Sequence, residues 1–205
     1  VLKSEMQYRP SDKSVWRIGL NSSYHNISPG KFFMSSNNDF SMKLLNRYAW
    51  ENNIFASNQL KLGNKFEFIY GLRLSIFSAM GKGEYYTLND KHEVTDSTWY
   101  GTGEFVKTYV NLEPRASAVY KINDESSVKA SYARTTQNMH LVPFMTQGTP
   151  YDRWIASSNI VKPQNSDQYT LGYFRNFHDN EYELSIEGYY KDMKNQLDFK
   201  DGADI

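Results

Sequence analysis

Four histidines, at positions 25, 92, 140 and 178, stand far apart in the chain, and no Ser-His-Asp order, phosphate-binding glycine loop or zinc-helix motif accompanies them. Acid–base, nucleophilic and phosphoryl-transfer chemistry have no assembled set of groups here, so no catalytic residue and no enzyme activity are expected. Binding chemistry has more to work with. The segment Thr149-Pro150-Tyr151-Asp152-Arg153-Trp154-Ile155 places aromatic rings beside a guanidinium and a carboxylate, residue types that supply much of the energy at recognition surfaces. The competing role for Tyr151 and Trp154 is to pack the base of a long loop. His140, in the same connection, can join Asp152 in holding a metal or a metal chelate, but a metal site needs more ligands at fitting geometry. No resident metal or cofactor is expected. A third group is electrostatic: Glu113 and Arg115 fall on one side of an extended segment, Lys129 and Ser131 on the same side of the next, and Arg73 on the polar side of an earlier one. These charges either guide something that passes along them or satisfy a wetted wall.

The elements that position these residues are strands. In residues 15–24, Trp16, Ile18, Leu20 and Tyr24 share one side while Arg17, Gly19, Asn21 and Ser23 share the other, a period of two. Residues 66–80 repeat the pattern, with Phe66, Phe68, Tyr70, Leu72, Leu74 and Ile76 opposite Glu67, Gly71, Arg73 and Ser75; Ile69 and Phe77 are exceptions on the polar side. Similar runs at 2–8, 48–62, 108–122, 128–134, 169–177 and 182–190 predict about eight strands, several of them longer than the five or six residues usual in globular sheets.

The connections alternate in kind. Tight polar turns are expected at residues 9–13, 63–65, 123–125 and 178–180, and long connections at about 26–47, 81–107 and 136–167. An up-and-down barrel in the outer membrane has this rhythm, with short turns in the periplasm and long loops outside the cell. Phe66, Phe68, Tyr120, Phe177 and Tyr182 gather near the short turns, and Tyr24, Tyr48, Trp50 and Tyr190 lie toward the long loops, where amphipathic rings suit a headgroup boundary. A soluble all-β sandwich or barrel also alternates and remains the rival architecture. Composition fits either: 23 basic side chains balance 23 acidic ones, leaving no basic field for nucleic acid. The absence of cysteine removes disulfides and thiolate chemistry. No run approaches the length of a spanning helix, so contact with a bilayer would be made by strands.

The residues 111–120, Asn-Leu-Glu-Pro-Arg-Ala-Ser-Ala-Val-Tyr, resemble the "E-P-R" strand of the barrels of TonB-dependent receptors. The likeness continues through the strand at 127–141, through Thr149-Pro150-Tyr151-Asp152-Arg153-Trp154, through Lys162-Pro163-Gln164 and Asp167-Gln168-Tyr169-Thr170-Leu171-Gly172-Tyr173-Phe174, and through residues 182–191 with Asn195-Gln196-Leu197-Asp198-Phe199. It is specific over about residues 109–203, holds as a pattern before that, and looks like the Bacteroidota-type members.

The resemblance implies an all-β barrel wall in the outer membrane, a plug domain of the same full-length protein, a periplasmic box for the TonB complex in an N-terminal region outside this sequence, and import of a nutrient such as a metal chelate, cobalamin or a glycan fragment. Residues 1–205 are then expected to be a partial barrel domain without its plug, with Tyr151, Asp152, Arg153, Trp154 and His140 on an outer loop as ligand contacts. Arg73, Glu113, Arg115 and Lys129 face the lumen, and the partners are lipid, plug, TonB and nutrient, with no nucleic acid. An arc of eight strands leaves two borders unpaired, so alone it should close into a small barrel, pair with a copy, or pack as a soluble fold. Pro114, on the outward side with Leu112 and Ala116, should produce a bulge or irregularity. Two other classes stay open: a soluble cell-surface β module that binds a partner through its aromatic loops, and an outer-membrane enzyme, for which no acid/base set is evident.

Overall fold

A computed structural model describes residues 1–28, 31–34, 40–43, 46–142, 153–179 and 181–197. Eight long antiparallel strands form one sheet: β1 Leu2–Ser11, β2 Ser14–Ile27, β5 Arg47–Leu62, β6 Phe66–Met80, β9 Phe105–Lys121, β10 Ser126–Gln137, β13 Gln164–Phe177 and β14 Tyr182–Lys194. Each pairs with the one before and the one after it in this order, an up-and-down meander with β1 and β14 as its borders. The eight strands therefore neither close on themselves nor fold into two packed layers. No helix occurs among the described residues.

Register carries the period-two pattern across every strand. The row Tyr8, Trp16, Asn58, Tyr70, Ala116 is followed one step along by Met6, Ile18, Ala56, Leu72, Pro114 and then by Leu20, Ile54, Leu74, Leu112. One face is thus almost wholly apolar, and it stays open: Ile54, Leu72, Leu112, Leu171 and Ile186 are all exposed. Asn58 is a buried polar exception on it, donating to Ser14 Oγ at 2.9 Å in the row where Trp16 meets Tyr70 edge to face. Aromatic clusters end this face, with Phe66 against Phe68 and Tyr120 near the short turns, and with Tyr24 on Tyr48 and Tyr132 on Tyr169 toward the long connections.

Short turns join the strands at one end as expected, although the first is narrower than residues 9–13. Strand β1 continues to Ser11, with its irregularity between Tyr8 and Ser11 at Pro10, where a missing N–H is best tolerated. His178 and Asp179 both take positive φ, 49° and 51°, in the turn between β13 and β14, a conformation that Asp and His tolerate better than branched residues.

The long connections are not bare loops. Each carries a two-stranded hairpin: β3 Lys31–Met34 with β4 Phe40–Lys43, β7 Gly83–Leu88 with β8 Val94–Tyr100, and β11 Met139–Val142 with β12 Arg153–Ala156. The second and third fold over the polar face. Arg47 stacks on Tyr85 at 4.3 Å and donates to the Glu84 carbonyl at 2.9 Å, Tyr109 donates to the Ser158 carbonyl at 2.6 Å, and Asn159 donates to the Tyr86 carbonyl at 2.7 Å, tying one connection to the other. Strand β12 reaches across to β2, four strands beyond β10 in the sheet. Beneath this cover lies the small core of Ile27, Ala49, Phe77, Ala79 and Tyr85, which explains why Phe77 breaks the polar pattern of its face. Ile69, the other exception, remains exposed near the short-turn end.

Pro114 departs from expectation. The β6–β9 register runs through Leu72 and Pro114 without a shift, so there is no bulge. The β9–β10 pairing instead begins at Lys121 with Ser127 and stops at Arg115 with Ala133, one residue short of Pro114. A residue without an N–H cannot extend that ladder, and the two strands part there.

Candidate functional site

Where β9 and β10 part, a side chain takes over from the main chain. The Glu113 carboxylate faces the Thr136 backbone N–H and is only 4% exposed. Its Oε2 lies 3.8 Å from Arg73 Nε and 3.9 Å from Arg115 Nη2. Arg73 Nε also donates to Asn53 Oδ1 at 3.2 Å, Asn53 Nδ2 donates to Glu51 Oε1 at 3.2 Å, and Glu51 Oε2 is 3.5 Å from His25 Nε2. A polar chain therefore climbs the polar face over β2, β5, β6 and β9 toward the hairpins. The structure brings Arg73, Glu113 and Arg115 together. Lys129 shares their face but pairs with Val119, two rows nearer the short turns, and makes no ion pair among the described residues. Sequence reasoning named the charges but missed Asn53, Glu51 and Thr136, because only register shows that residues so far apart are neighbours.

The outer connection is divided by its own hairpin. Trp154 pairs with Leu141 and His140 with Ile155, so adjacent pairs point to opposite faces. Trp154 is 53% exposed and Leu141 is exposed beside it, whereas His140 is 3% exposed and lies 3.4 Å from Ser157 Oγ. His140 and Trp154 are thus not offered to solvent on one surface. Arg153 opens β12 opposite Val142; Tyr151 and Asp152 lie outside the described residues. Among the described residues no group of three or more His, Asp or Glu is placed to hold a metal.

Burial lowers the pKa of His140 below its ordinary value. The unfolded chain then binds this proton more readily than the docked hairpin does. The His140 contribution to docking is complete above the ordinary imidazole value of about 6.5 and is lost as pH falls through it toward the lowered folded value. Hydrogen exchange of the β11–β12 amides, corrected for intrinsic rates, is expected to quicken between pH 7.5 and pH 5.5 in the native protein and to lose that dependence in His140→Gln.

A single tall antiparallel sheet, apolar and open on one side, polar on the other and capped at one end by folded loops, defines the wall of a transmembrane β-barrel. The family model for the TonB dependent receptor-like β-barrel matches residues 4–205, and the chain belongs to that family. The match extends the likeness from the second half of the chain to nearly all of it. A search of curated proteins returns no match. The family is one of outer-membrane receptors that transport, not a family of enzymes, and its members work with TonB and a plug domain in general.

Proposed function

We propose that this chain supplies wall and outer loops to a TonB-dependent transporter of the Bacteroidota type that imports a scarce nutrient, of the metal-chelate, cobalamin or glycan-fragment class, across the outer membrane. In this reading residues 1–205 are a partial barrel domain. The plug and the TonB contact lie elsewhere in the full-length protein, and β1 and β14 each pair with a further strand, since no backbone group can be left unpaired in hydrocarbon. The carrying observation is the division of faces: exposed Leu72 and Leu112 on one side, and Arg73, Glu113 and Arg115 on the other. Lipid covers the first, and the enclosed channel wets the second.

Residues 1–205 contain no cysteine, so a thiol introduced among them is new to the wall. Single cysteines at Leu72 and at Arg73 in the full-length receptor, reconstituted in phospholipid vesicles, should differ sharply. The thiol at 72 should be shielded from a water-soluble maleimide and broadened by a lipid-soluble spin relaxant, and the thiol at 73 should show the reverse. Equal labelling, or a cooperative monomer in plain buffer, would favour the soluble cell-surface module instead.

At the mouth, Trp154 is the ligand contact in this reading, together with Tyr151, Asp152 and Arg153, which precede it in the sequence. Trp154→Ala should reduce nutrient uptake on the order of tenfold, equivalent to about 1.4 kcal/mol of binding, with heat-modifiable gel mobility unchanged. Failed assembly, or full uptake, would return Trp154 to a packing role.

A further inference from the structure

Arg17, Ser57, Gly71 and Arg115 are successive register partners across β2, β5, β6 and β9. Two arginines therefore flank a floor of two small residues on the lumen face. Arg73 and Phe55, themselves paired, stand one row nearer the outer end. Together with Ala56 and Leu72, which adjoin the floor residues on the same two strands, these six line a depression of about 250 Å³. Adjacent strands are about 4.8 Å apart, so side chains as long as arginine can lean in from both flanks over a floor two strands wide. The floor is kept low by the backbone: a Cβ at Gly71 would come within 2.7 Å of Ser57 Cβ, so any larger residue there must push β5 and β6 apart. On β2, Gly19 leaves room for the Phe55 ring, whose Cζ would lie 2.6 Å from a Cβ at that position.

The charges around this floor do not cancel. Arg73 and Arg115 share one carboxylate, Glu113, at 3.8 and 3.9 Å, and that carboxylate also faces the Thr136 N–H. Arg17 makes no ion pair or hydrogen bond among the described residues. Three permanently charged guanidiniums thus face one buried anion, in a depression with one aromatic flank. Planar guanidinium forks match a carboxylate in two-point hydrogen bonding, and the Phe55 ring suits the carbon next to it.

We infer that this depression is a carboxylate-binding socket in the barrel wall, with Arg17, Arg73 and Arg115 as its donors. The inference rests on the proposed reading only in taking the polar face as the lumen, and the cysteine labelling above tests that separately. The carboxylate comes either from a solute in the channel or from a side chain that the barrel encloses.

The test uses the purified full-length receptor in detergent at low ionic strength, with citrate as the probe in titration calorimetry. Arg17→Gln is the main variant, because the Arg17 side chain makes no hydrogen bond or ion pair among the described residues and its loss should leave assembly intact; Lys129→Gln is the control for loss of a lumen charge outside the depression. For a solute carboxylate, wild type and K129Q bind citrate, R17Q binds at least tenfold more weakly, and R17K recovers part of the loss. For an enclosed side chain, wild type takes up no citrate and R17Q unfolds at a lower temperature than K129Q. Citrate binding unaffected by R17Q overturns the socket, and so does no citrate binding with equal unfolding temperatures in R17Q and K129Q.

Discussion

Leu72→Arg should destabilise the receptor in lipid by about 2–4 kcal/mol, the cost of a cation at the bilayer midplane. Leu72 lies on the apolar face of β6, midway between the ring cluster at Phe66 and the outer row of Ser78 and Trp50. Its neighbours in register are Ala56 and Pro114, neither of which can shield or pair a guanidinium. The side chain is 48% exposed, so the substitution meets hydrocarbon and not a protein interior. Gln168→Arg is the matched control, exposed on the other face in register with Ala133, and should stay within about 0.5 kcal/mol. Urea unfolding of the receptor refolded into vesicles reads both. Depth dependence separates lipid from an ordinary core, since arginine at Phe66 or Trp50, near the two boundaries, should cost only about 0–1 kcal/mol. A profile flat along the strand would remove the bilayer from the account.

The period-two signal located strands well where one face meets hydrocarbon, and poorly above it. The run at residues 66–80 coincides with β6. The run starting at residue 169, by contrast, falls five residues short of the start of β13 at Gln164. Residues Asn165, Ser166 and Asp167 are polar on both faces, so alternation fades although pairing continues to Asn165 with Thr136 and with Lys194. The hairpins in the long connections were illegible for a related reason. Gly83-Glu84-Tyr85-Tyr86-Thr87-Leu88 has no single apolar side; Tyr85 is buried against the sheet while Tyr86 faces water. Phe77 is an exception to the polar pattern of its face because β7–β8 and β11–β12, which no alternation marks, cover that end. At the site, local spacing put Glu113 and Arg115 on one side of a strand, and Arg73 was equally readable. Arg17 was visible only as a polar residue of its own strand, because its approach to Arg115 is a product of four strands in register. Trp154 was singled out by residue type alone, and its separation from His140 by the alternation of a four-residue strand could not be anticipated without that strand.

The second large effect concerns Glu113, whose removal should open the seam between β9 and β10. Pro114 ends the main-chain ladder on that side, and beyond it the Glu113 carboxylate faces the Thr136 N–H. Two contributions compete in any substitution. The contacts to Arg73 and Arg115, at 3.8 and 3.9 Å, are long, and their partners are 35% and 49% exposed, so each pair is worth no more than about 1 kcal/mol. A backbone N–H facing a charged acceptor contributes up to about 1.5–3 kcal/mol, and removing the carboxylate forfeits it. Glu113→Ala should therefore cost about 2–4 kcal/mol in urea unfolding. Glu113→Gln, which keeps an acceptor at the same reach and loses only the charge, should retain more than half of that stability. Amide exchange at residues 134–137 should accelerate strongly in E113A and slightly in E113Q, with little response to salt, because the dominant contact is buried. If E113Q proves as damaging as E113A, the guanidinium pairs and not the main-chain donor hold this seam, and Arg73→Gln should then relieve E113Q in a double-mutant cycle.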